Sequence, residues 1–381
     1  MKIKILSVFG TRPEAIKMAP LVKTLDEHEG FESRVAVTAQ HREMLDQVLE
    51  LFRIQPHHDL DIMHHGQTLS DITCRVLQGI GEIIQGERPH MVLVHGDTTT
   101  TFAAALASFY QKIPVGHVEA GLRTYDKYAP FPEEMNRQLT GSLGSLHFAP
   151  TERARESLLD ESVHGDSIFV TGNTVIDALL ETVRENYVFS DPLLKELDFE
   201  REKVILVTAH RRENWGEPME EIFSALNEIV GKFEDIKIVF PVHKNPHLQR
   251  LARETLGGHP RVHLIDPLDY EPFVNLMAGS HIVLTDSGGL QEEAPALGKP
   301  VLVMRETTER PEAVEEGTVK LVGAKREKIV REVGKLLTCP KDYERIANAL
   351  NPYGDGRASL RIRDTLLYYF GRRREMPEEF A

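Results

Sequence analysis

Short β-branched runs alternate with amphipathic helical periods along almost the whole chain. Strand-like segments fall at 3–9, 34–39, 90–95, 115–119, 147–149 and 168–171, and again at 204–209, 236–242, 261–265, 282–285, 301–304 and 319–322. Helical periods separate them, for example at 15–28, 219–232 and 325–337. Alternation of this kind predicts parallel sheets covered by helices on both faces, the α/β class. So many strands exceed the ~10 of one open sheet, and 381 residues exceed the ~250–300 that one core organises. Two Rossmann-like domains are therefore predicted, at 1–171 and 172–355, with a helix in 356–381 packing back on the first. An amphipathic stretch at 174–183 and a polar one at 185–203 lead into the second half, and the charged residues 371–381 are expected to fray.

Composition narrows the partners. A formal charge of −14 argues against a nucleic-acid or anionic-membrane surface. It also obliges the site of any anionic ligand to gather its positive groups locally. Two cysteines far apart, Cys74 and Cys339, make no disulfide framework and fit a reducing compartment. The first apolar run is too short for a signal peptide, and no segment approaches the ~18–20 apolar residues of a membrane helix. A cytoplasmic location without a membrane partner is the expectation.

In doubly wound sheets ligands bind at the carboxyl ends of strands. After the first strand comes Gly10-Thr11-Arg12-Pro13-Glu14-Ala15-Ile16-Lys17. Its glycine suits a tight turn, its helix N-terminus favours an anion, and Arg12 and Lys17 add charge. After the 90–95 strand, Asp97 could be no more than a helix cap. Glu119 is an ionisable residue at an otherwise apolar strand end, where a carboxylate needs a partner or a purpose. Pro132-Glu133-Glu134 opens a helix with acids that also complement its dipole. Acids from three segments on one rim together predict a proton-transfer site.

In the second half, His210 and His243 end strands beside basic residues, and either could meet phosphate or move a proton. The sharpest element is Thr285-Asp286-Ser287-Gly288-Gly289-Leu290-Gln291-Glu292-Glu293. Its small residues allow backbone N–H groups to close on a phosphate at a helix N-terminus, while Glu293, one turn inside, could accept from ribose hydroxyls. Arg310 supplies a basic residue after the next strand. Two other patterns look like metal motifs. Asp59-Leu60-Asp61 is too short a match to carry weight. His57, His58, His64 and His65 lie on a predicted loop, where metal ligation would need converging geometry; a solvated loop is expected.

On these residues the chain resembles the bacterial non-hydrolysing UDP-N-acetylglucosamine 2-epimerases, whose two domains form the GT-B fold. The likeness covers nearly all of it. It includes Phe9-Gly10-Thr11-Arg12-Pro13-Glu14-Ala15, His210-Arg211-Arg212-Glu213 and Asn351-Pro352-Tyr353-Gly354-Asp355-Gly356, together with 94–101, 116–123, 132–134, 285–294 and 307–311. The resemblance implies interconversion of UDP-GlcNAc and UDP-ManNAc in an interdomain cleft, with no cofactor and no metal. It implies elimination of UDP to a 2-acetamidoglucal and re-addition. Asp97, Glu119 and Glu133 would then be the acid–base groups, and Arg12, Lys17 and His210 would handle the diphosphate. Ser287, Gly288 and Gly289 would hold phosphate, Glu293 ribose and Phe273 the uracil. Arg310 would add charge, and Leu268 would contribute its backbone. A homodimer serving cell-surface polysaccharide synthesis is implied, as is a second, activating UDP-GlcNAc at Gln40, Gln67, Glu133, Arg211 and His243. The chain departs from that allosteric pattern with Glu43 where a glutamine can occur and Gly66 where an arginine can.

The chemistry is consistent with such a site. The C2–H of an acetamido sugar is not flanked by a carbonyl and is a poor acid. Loosening the C1–O bond first acidifies it, so cations on the departing diphosphate count for more than a strong base. A hydrolysing epimerase or a sugar transferase remains open on the same fold.

Overall fold

The computed structural model describes residues 2–39, 42–64 and 66–381. The chain divides into two compact units, the first comprising 1–181 with 353–381 and the second 182–352. Each is built on one parallel sheet. Unit 1 carries β1 (Ile3–Phe9), β2 (Phe31–Val37), β3 (His58–Asp59), β4 (Met91–His95), β5 (Val115–Val118), β6 (Leu146–Ala149) and β7 (Ile168–Val170), in the order β3-β2-β1-β4-β5-β6-β7. Unit 2 carries β8 (Lys203–Thr208), β9 (Ile236–Pro241), β10 (Val262–Ile265), β11 (Ile282–Thr285), β12 (Val301–Val303) and β13 (Val319–Leu321), in the order β10-β9-β8-β11-β12-β13. These are the two Rossmann-like sheets of the predicted α/β class.

The strands form where the chain is apolar on both faces, because helices cover both sides of a parallel sheet. Every residue of β4 is buried, as are Val204, Ile205, Leu206 and Val207 of β8. Chain order reverses between β1 and β4 in unit 1 and between β8 and β11 in unit 2. These are the switch points at which connections leave to opposite sides and a crevice opens at the carboxyl edge.

The division between units follows hydrogen bonding. The helix Thr174–Thr182 stays with unit 1 up to Glu181. Its buried Asp177 accepts the N–H groups of Ala358 (3.2 Å) and Ser359 (2.7 Å), capping the C-terminal helix Ala358–Tyr369. That helix packs on the helix Arg12–Asp26.

Two sequence expectations fail here. The tail is not frayed: the Phe380 N–H donates to the Val170 carbonyl at 2.8 Å, and Glu379 accepts the Val170 N–H at 3.0 Å while pairing with Arg155. One aromatic anchor, Phe380, packs against the apolar cluster of Ala149, Ile168 and Val170 and holds an otherwise charged segment. The histidine patch is not wholly a solvated loop either. His57 Nδ1 accepts the Val35 N–H at 3.1 Å, and His58, in the edge strand β3, meets Glu87 at 2.8 Å. His65 lies outside the described residues.

Three buried histidines stand on adjacent strands: His95 on β4, His117 on β5 and His147 on β6. His117 Nε2–H donates to the Gly96 carbonyl at 2.7 Å, and His147 Nε2–H to that of Gly141 at 2.9 Å. Desolvation pushes His117 down to about 3 and His95 down to about 4. The unfolded chain protonates both near 6.5, so below that pH it binds more protons than the folded one. Stability must then fall as pH falls, by about 1.4 kcal/mol per pH unit for each histidine. Burial raises the carboxyls of Glu14 and Asp177, which works in the opposite sense. The informative quantity is therefore a difference between variants. His117→Gln, which keeps the donor to Gly96, should flatten the acid slope of stability between pH 6.5 and 5 by about that amount. Urea unfolding at several pH values checks it, and parallel slopes for both proteins would exclude His117 as a source of acid lability.

Candidate active site

At the carboxyl edge of β1 the chain turns through Gly10 into the helix Arg12–Asp26. The turn has no room for a side chain: a Cβ on Gly10 would collide with Thr38 Oγ1 and lie 2.9 Å from Thr100 Oγ1. Thr11 and Glu14 form a capping box. Glu14 is 3% exposed, and its carboxylate accepts the N–H groups of Gly10 (3.0 Å) and Thr11 (2.8 Å) and the hydroxyl of Thr98 (2.7 Å). Burial raises its pKa against those hydrogen bonds. This carboxylate ties the loop after β1 to the loop after β4. Arg12 then occupies the first helical position, where the macrodipole is positive. Among the described residues no carboxylate pairs with it.

The loop after β4 carries Asp97. The helix Thr99–Tyr110 is capped by Thr98, which accepts the Thr101 N–H at 3.2 Å, so Asp97 is not used as a cap. Its carboxylate instead pairs with Arg137, and its carbonyl accepts Asn136 Nδ2–H at 2.9 Å. Both partners stand on the helix Glu133–Leu143, one turn beyond Glu133. Glu133 is half-buried, and its Oε2 has no hydrogen-bond partner among the described residues. The neighbouring Glu134 is fully buried. It accepts the N–H groups of Thr124 (3.0 Å) and Tyr125 (3.1 Å) and braces that loop.

Glu119 follows β5 directly, with a φ of +60°. A left-handed residue with a side chain costs of order 1–3 kcal/mol and persists only where its surroundings fix it. Here Lys17 forms an ion pair with the carboxylate, and Asn173 Nδ2–H donates to it at 2.7 Å. His95 Nε2 lies 3.9 Å from the other oxygen. Burial pushes His95 down to about 4, with the Glu119 charge pulling the other way. His95 is therefore a neutral imidazole at neutral pH, and neither ring nitrogen has a hydrogen-bond partner among the described residues.

In unit 2, the segments that follow β8, β9, β10 and β11 line an open pocket of about 240 Å³. His210, His243, Leu268, Phe273 and Ser287 all line it. The rings of His210 and His243 stack at 6.1 Å. Gly288 and Gly289 follow Ser287 into the helix Leu290–Ala296; the Ser287 N–H donates to Thr285 Oγ1 at 2.9 Å, the Gln291 N–H to the Gly288 carbonyl at 3.2 Å and the Glu292 N–H to the Gly289 carbonyl at 2.9 Å.

Comparison with known proteins agrees over the whole length. The family model described as UDP-N-acetylglucosamine 2-epimerase matches residues 23–367. The UDP-N-acetylglucosamine 2-epimerase of Bacillus subtilis (strain 168) is 57% identical over 380 residues, 100% of this chain and 99% of that protein. The chain belongs to the UDP-N-acetylglucosamine 2-epimerase family. A crystal structure of a UDP-N-acetylglucosamine 2-epimerase is 55% identical with a TM-score of 0.93, covering 100% of this chain and 99% of that one. The Neisseria meningitidis UDP-GlcNAc 2-epimerase, solved bound to UDP-GlcNAc, is 52% identical with a TM-score of 0.86, covering 96% of this chain and 100% of that one. The predicted GT-B class is borne out with them.

Within this epimerase-family chain the predicted residues fall into two groups. Unit 1 assembles Arg12, Lys17, Asp97 and Glu119 on the rim of β1, β4 and β5, with the Glu133 helix holding Asp97. Unit 2 assembles His210, His243, Leu268, Phe273 and Ser287 on one cavity. Glu293 lies one turn into the helix after Gly289, whose N–H-to-carbonyl partner it is at 3.1 Å. Arg310 pairs with Glu292. Of the residues proposed for a second ligand, Gln67 Oε1 accepts the His64 N–H at 3.2 Å, and Arg211 meets Glu309 at 3.3 Å. Gln40 lies outside the described residues. Asp59 is engaged by Arg42, and among the described residues no group of three His, Cys, Asp or Glu side chains is arranged to hold a metal. No helix among the described residues is long and apolar enough to cross a membrane.

Four residues at these rims escaped sequence reasoning: His95, Arg137, Asn173 and Asp286. The signal that picked out Glu119, an ionisable group where an apolar strand ends, applied equally to His95 and Asp286. Arg137 stands four positions after Glu133, one helical turn along the same face. Asn173 carried no comparable pattern. The tightness of the β1 turn is directly testable. Gly10→Ala should cost about 1–3 kcal/mol of stability and displace the Arg12 helix start. Thermal unfolding measures the first effect, and a wild-type midpoint would mean that Thr38 yields.

Proposed function

We propose that the chain interconverts UDP-N-acetylglucosamine and UDP-N-acetylmannosamine at C2, without hydrolysis. The observation that carries this reading is the rim of unit 1, where two carboxylates held by side-chain cations, Glu119 with Lys17 and Asp97 with Arg137, follow β5 and β4 in the strand order β1-β4-β5, and the helix after β1 begins at Arg12. Such a set suits proton transfer next to a departing anion.

In the proposed reaction the C1–O bond of the sugar breaks first and its electron pair leaves on the β-phosphate oxygen. Arg12, Lys17 and His210 stabilise that diphosphate. The developing positive charge at C1 acidifies C2–H, and a carboxylate among Asp97, Glu119 and Glu133 takes the proton, leaving 2-acetamidoglucal and UDP. Return of a proton to the opposite face of C2, with re-addition of UDP at C1, gives the epimer. Inversion without a redox step needs groups on both faces, which is a use for more than one carboxylate.

Unit 2 supplies the nucleotide contacts in this reading. Phe273 covers the uracil, Glu293 accepts from the ribose, and Leu268 contributes its backbone. The N–H groups around Ser287, Gly288 and Gly289 meet phosphate, and Arg310 adds charge with Glu292 as its counter-ion. The proposal extends to a cytoplasmic homodimer whose product serves cell-surface polysaccharide synthesis. It also extends to a second UDP-GlcNAc as activator, through Gln40, Gln67, Glu133, Arg211 and His243.

The deciding experiment is NMR of the purified protein with UDP-GlcNAc in heavy water, without acceptor. UDP-ManNAc carrying deuterium at C2 is expected. Free ManNAc with UDP would mean a hydrolysing enzyme, and no change would favour a transferase. Asp97→Asn, Glu119→Gln and His210→Ala should each lower kcat by at least ~100-fold. Steady-state kinetics reads this, and a variant that turns over normally removes its residue from the mechanism.

A further inference from the structure

The strand–turn–helix element after β11 supplies Ser287, Gly288 and Gly289 to phosphate and leaves its aspartate without a task. Asp286 follows β11 directly and is 0% exposed. Among the described residues neither lysine nor arginine side chains pair with it. Oδ2 accepts the backbone N–H groups of His210 (2.9 Å) and Arg211 (2.8 Å) and Asn214 Nδ2–H (3.1 Å). Oδ1 is buried without a hydrogen-bond partner among the described residues, and His210 Nδ1 stands 3.2 Å from it, within reach but not aligned as a hydrogen bond. The juxtaposition follows from the sheet. β8 and β11 are neighbours in register, Thr208 opposite Thr285, and the Asp286 N–H donates to the Thr208 carbonyl at 3.2 Å. The residues that follow the two strands are thereby brought face to face.

We infer that Asp286 is the positioning residue of His210, fixing its ring with Nδ1–H toward Oδ1 so that Nε2 is the atom presented to the ligand. Although burial alone would raise the Asp286 carboxyl, the His210 ring and the converging N–H donors hold it below the usual carboxylate range. An ionised carboxylate can only accept a hydrogen bond, so Nδ1 must carry the proton whether the ring is neutral or cationic. A buried aspartate behind a histidine sets tautomer and orientation in this way in other enzymes. The His210 side chain is 40% exposed and lines the unit 2 cavity with Ser287, so its remaining nitrogen is accessible. The assignment rests on the proposed role of His210 in diphosphate departure. In that step the C1–O electron pair moves to the β-phosphate oxygen, and Nε2, when it carries a proton, donates it to that oxygen as a hydrogen bond. The same hydrogen bond is released on re-addition, so no net proton is gained or lost.

The test compares Asp286→Asn, His210→Asn and the double variant in the full chain. In Asp286→Asn an amide can face Nδ1 and favour the opposite tautomer. Turnover of UDP-GlcNAc should fall at least ~10-fold, with KM within about threefold and the fold retained by circular dichroism. The double variant should be no slower than His210→Asn alone, because the aspartate acts through the histidine. Nitrogen-15 NMR of histidine-labelled protein gives a readout that simple bracing of the loop would not move. The His210 signals, identified by their loss in His210→Asn, should report Nδ1–H in the wild type and Nε2–H in Asp286→Asn.

A wild-type neutral ring protonated at Nε2 would overturn the inference, and this holds even if Asp286→Asn fails to fold. So would a full additional loss in the double variant. If His210→Asn turns over normally, the proposed role of His210 falls, while the tautomer signals still decide whether Asp286 positions the ring.

Discussion

A parallel sheet delivers every strand to the same edge with the same polarity. Carbonyl ends of strands, tight turns and helix N-termini are all gathered there, and that one constraint organises both units. In unit 1 the neighbouring strands β1, β4 and β5 are followed directly by Gly10, Gly96 and Glu119, so residues widely separated in sequence share a rim. In unit 2, β8 and β11 end beside each other and bring His210 to Asp286. Both assemblies sit where the strand order reverses, because only there do successive connections diverge and leave the edge uncovered.

Buried carboxylates in this chain sort by what satisfies them. Glu14, Glu134 and Asp286 each accept at least two backbone N–H groups, and each fixes a loop: Gly10–Thr11, Thr124–Tyr125 and His210–Arg211. Protonating one of these would release backbone donors into a dry interior, at a cost of ~1–3 kcal/mol for each orphaned group. Asp97 and Glu119 are held by the side chains of Arg137, Lys17 and Asn173. Side-chain cations can shift with a proton or a ligand without unfolding the turn that carries them. The carboxylates suited to proton transfer are therefore distinguished by their partners as well as by their exposure.

Strands that are buried on both faces were legible because burial on both faces makes a continuous apolar run. The two-residue β3 was not, since two residues show no period. The docked tail was misread because charge dominates its composition while one phenylalanine carries its packing. The rim residues Lys17, Asp97 and Glu119 could be named in advance because each interrupts a local pattern: a cation after a glycine turn, or an acid where apolar residues end. Arg137 and Asn173 interrupt nothing. Each becomes part of the site only when the topology brings its element to the rim, so their roles depend on contacts 40 and 54 positions away in sequence. Asp286 lay inside a recognised element, yet its neighbours' small side chains drew attention to phosphate. Its geometry with His210 depends on strand register, which no window of sequence encodes.

The cations of the unit 1 rim also bear on how binding and chemistry are linked in the proposed reaction. The chain carries a net charge of −14, so positive groups at a diphosphate site are scarce and partly committed. Arg12 has no carboxylate partner among the described residues, whereas Lys17 is already paired with Glu119. A diphosphate drawing on Lys17 must compete with that carboxylate. Glu119, relieved of part of its cation, would hold a proton more tightly, and it stands next to a neutral His95 that offers no compensating charge. As the leaving group gains charge it attracts the lysine more strongly, at the stage when the C2 proton needs an acceptor. In the proposed reaction, one ammonium group shared by two anions would thus couple C1–O cleavage to C2–H removal electrostatically.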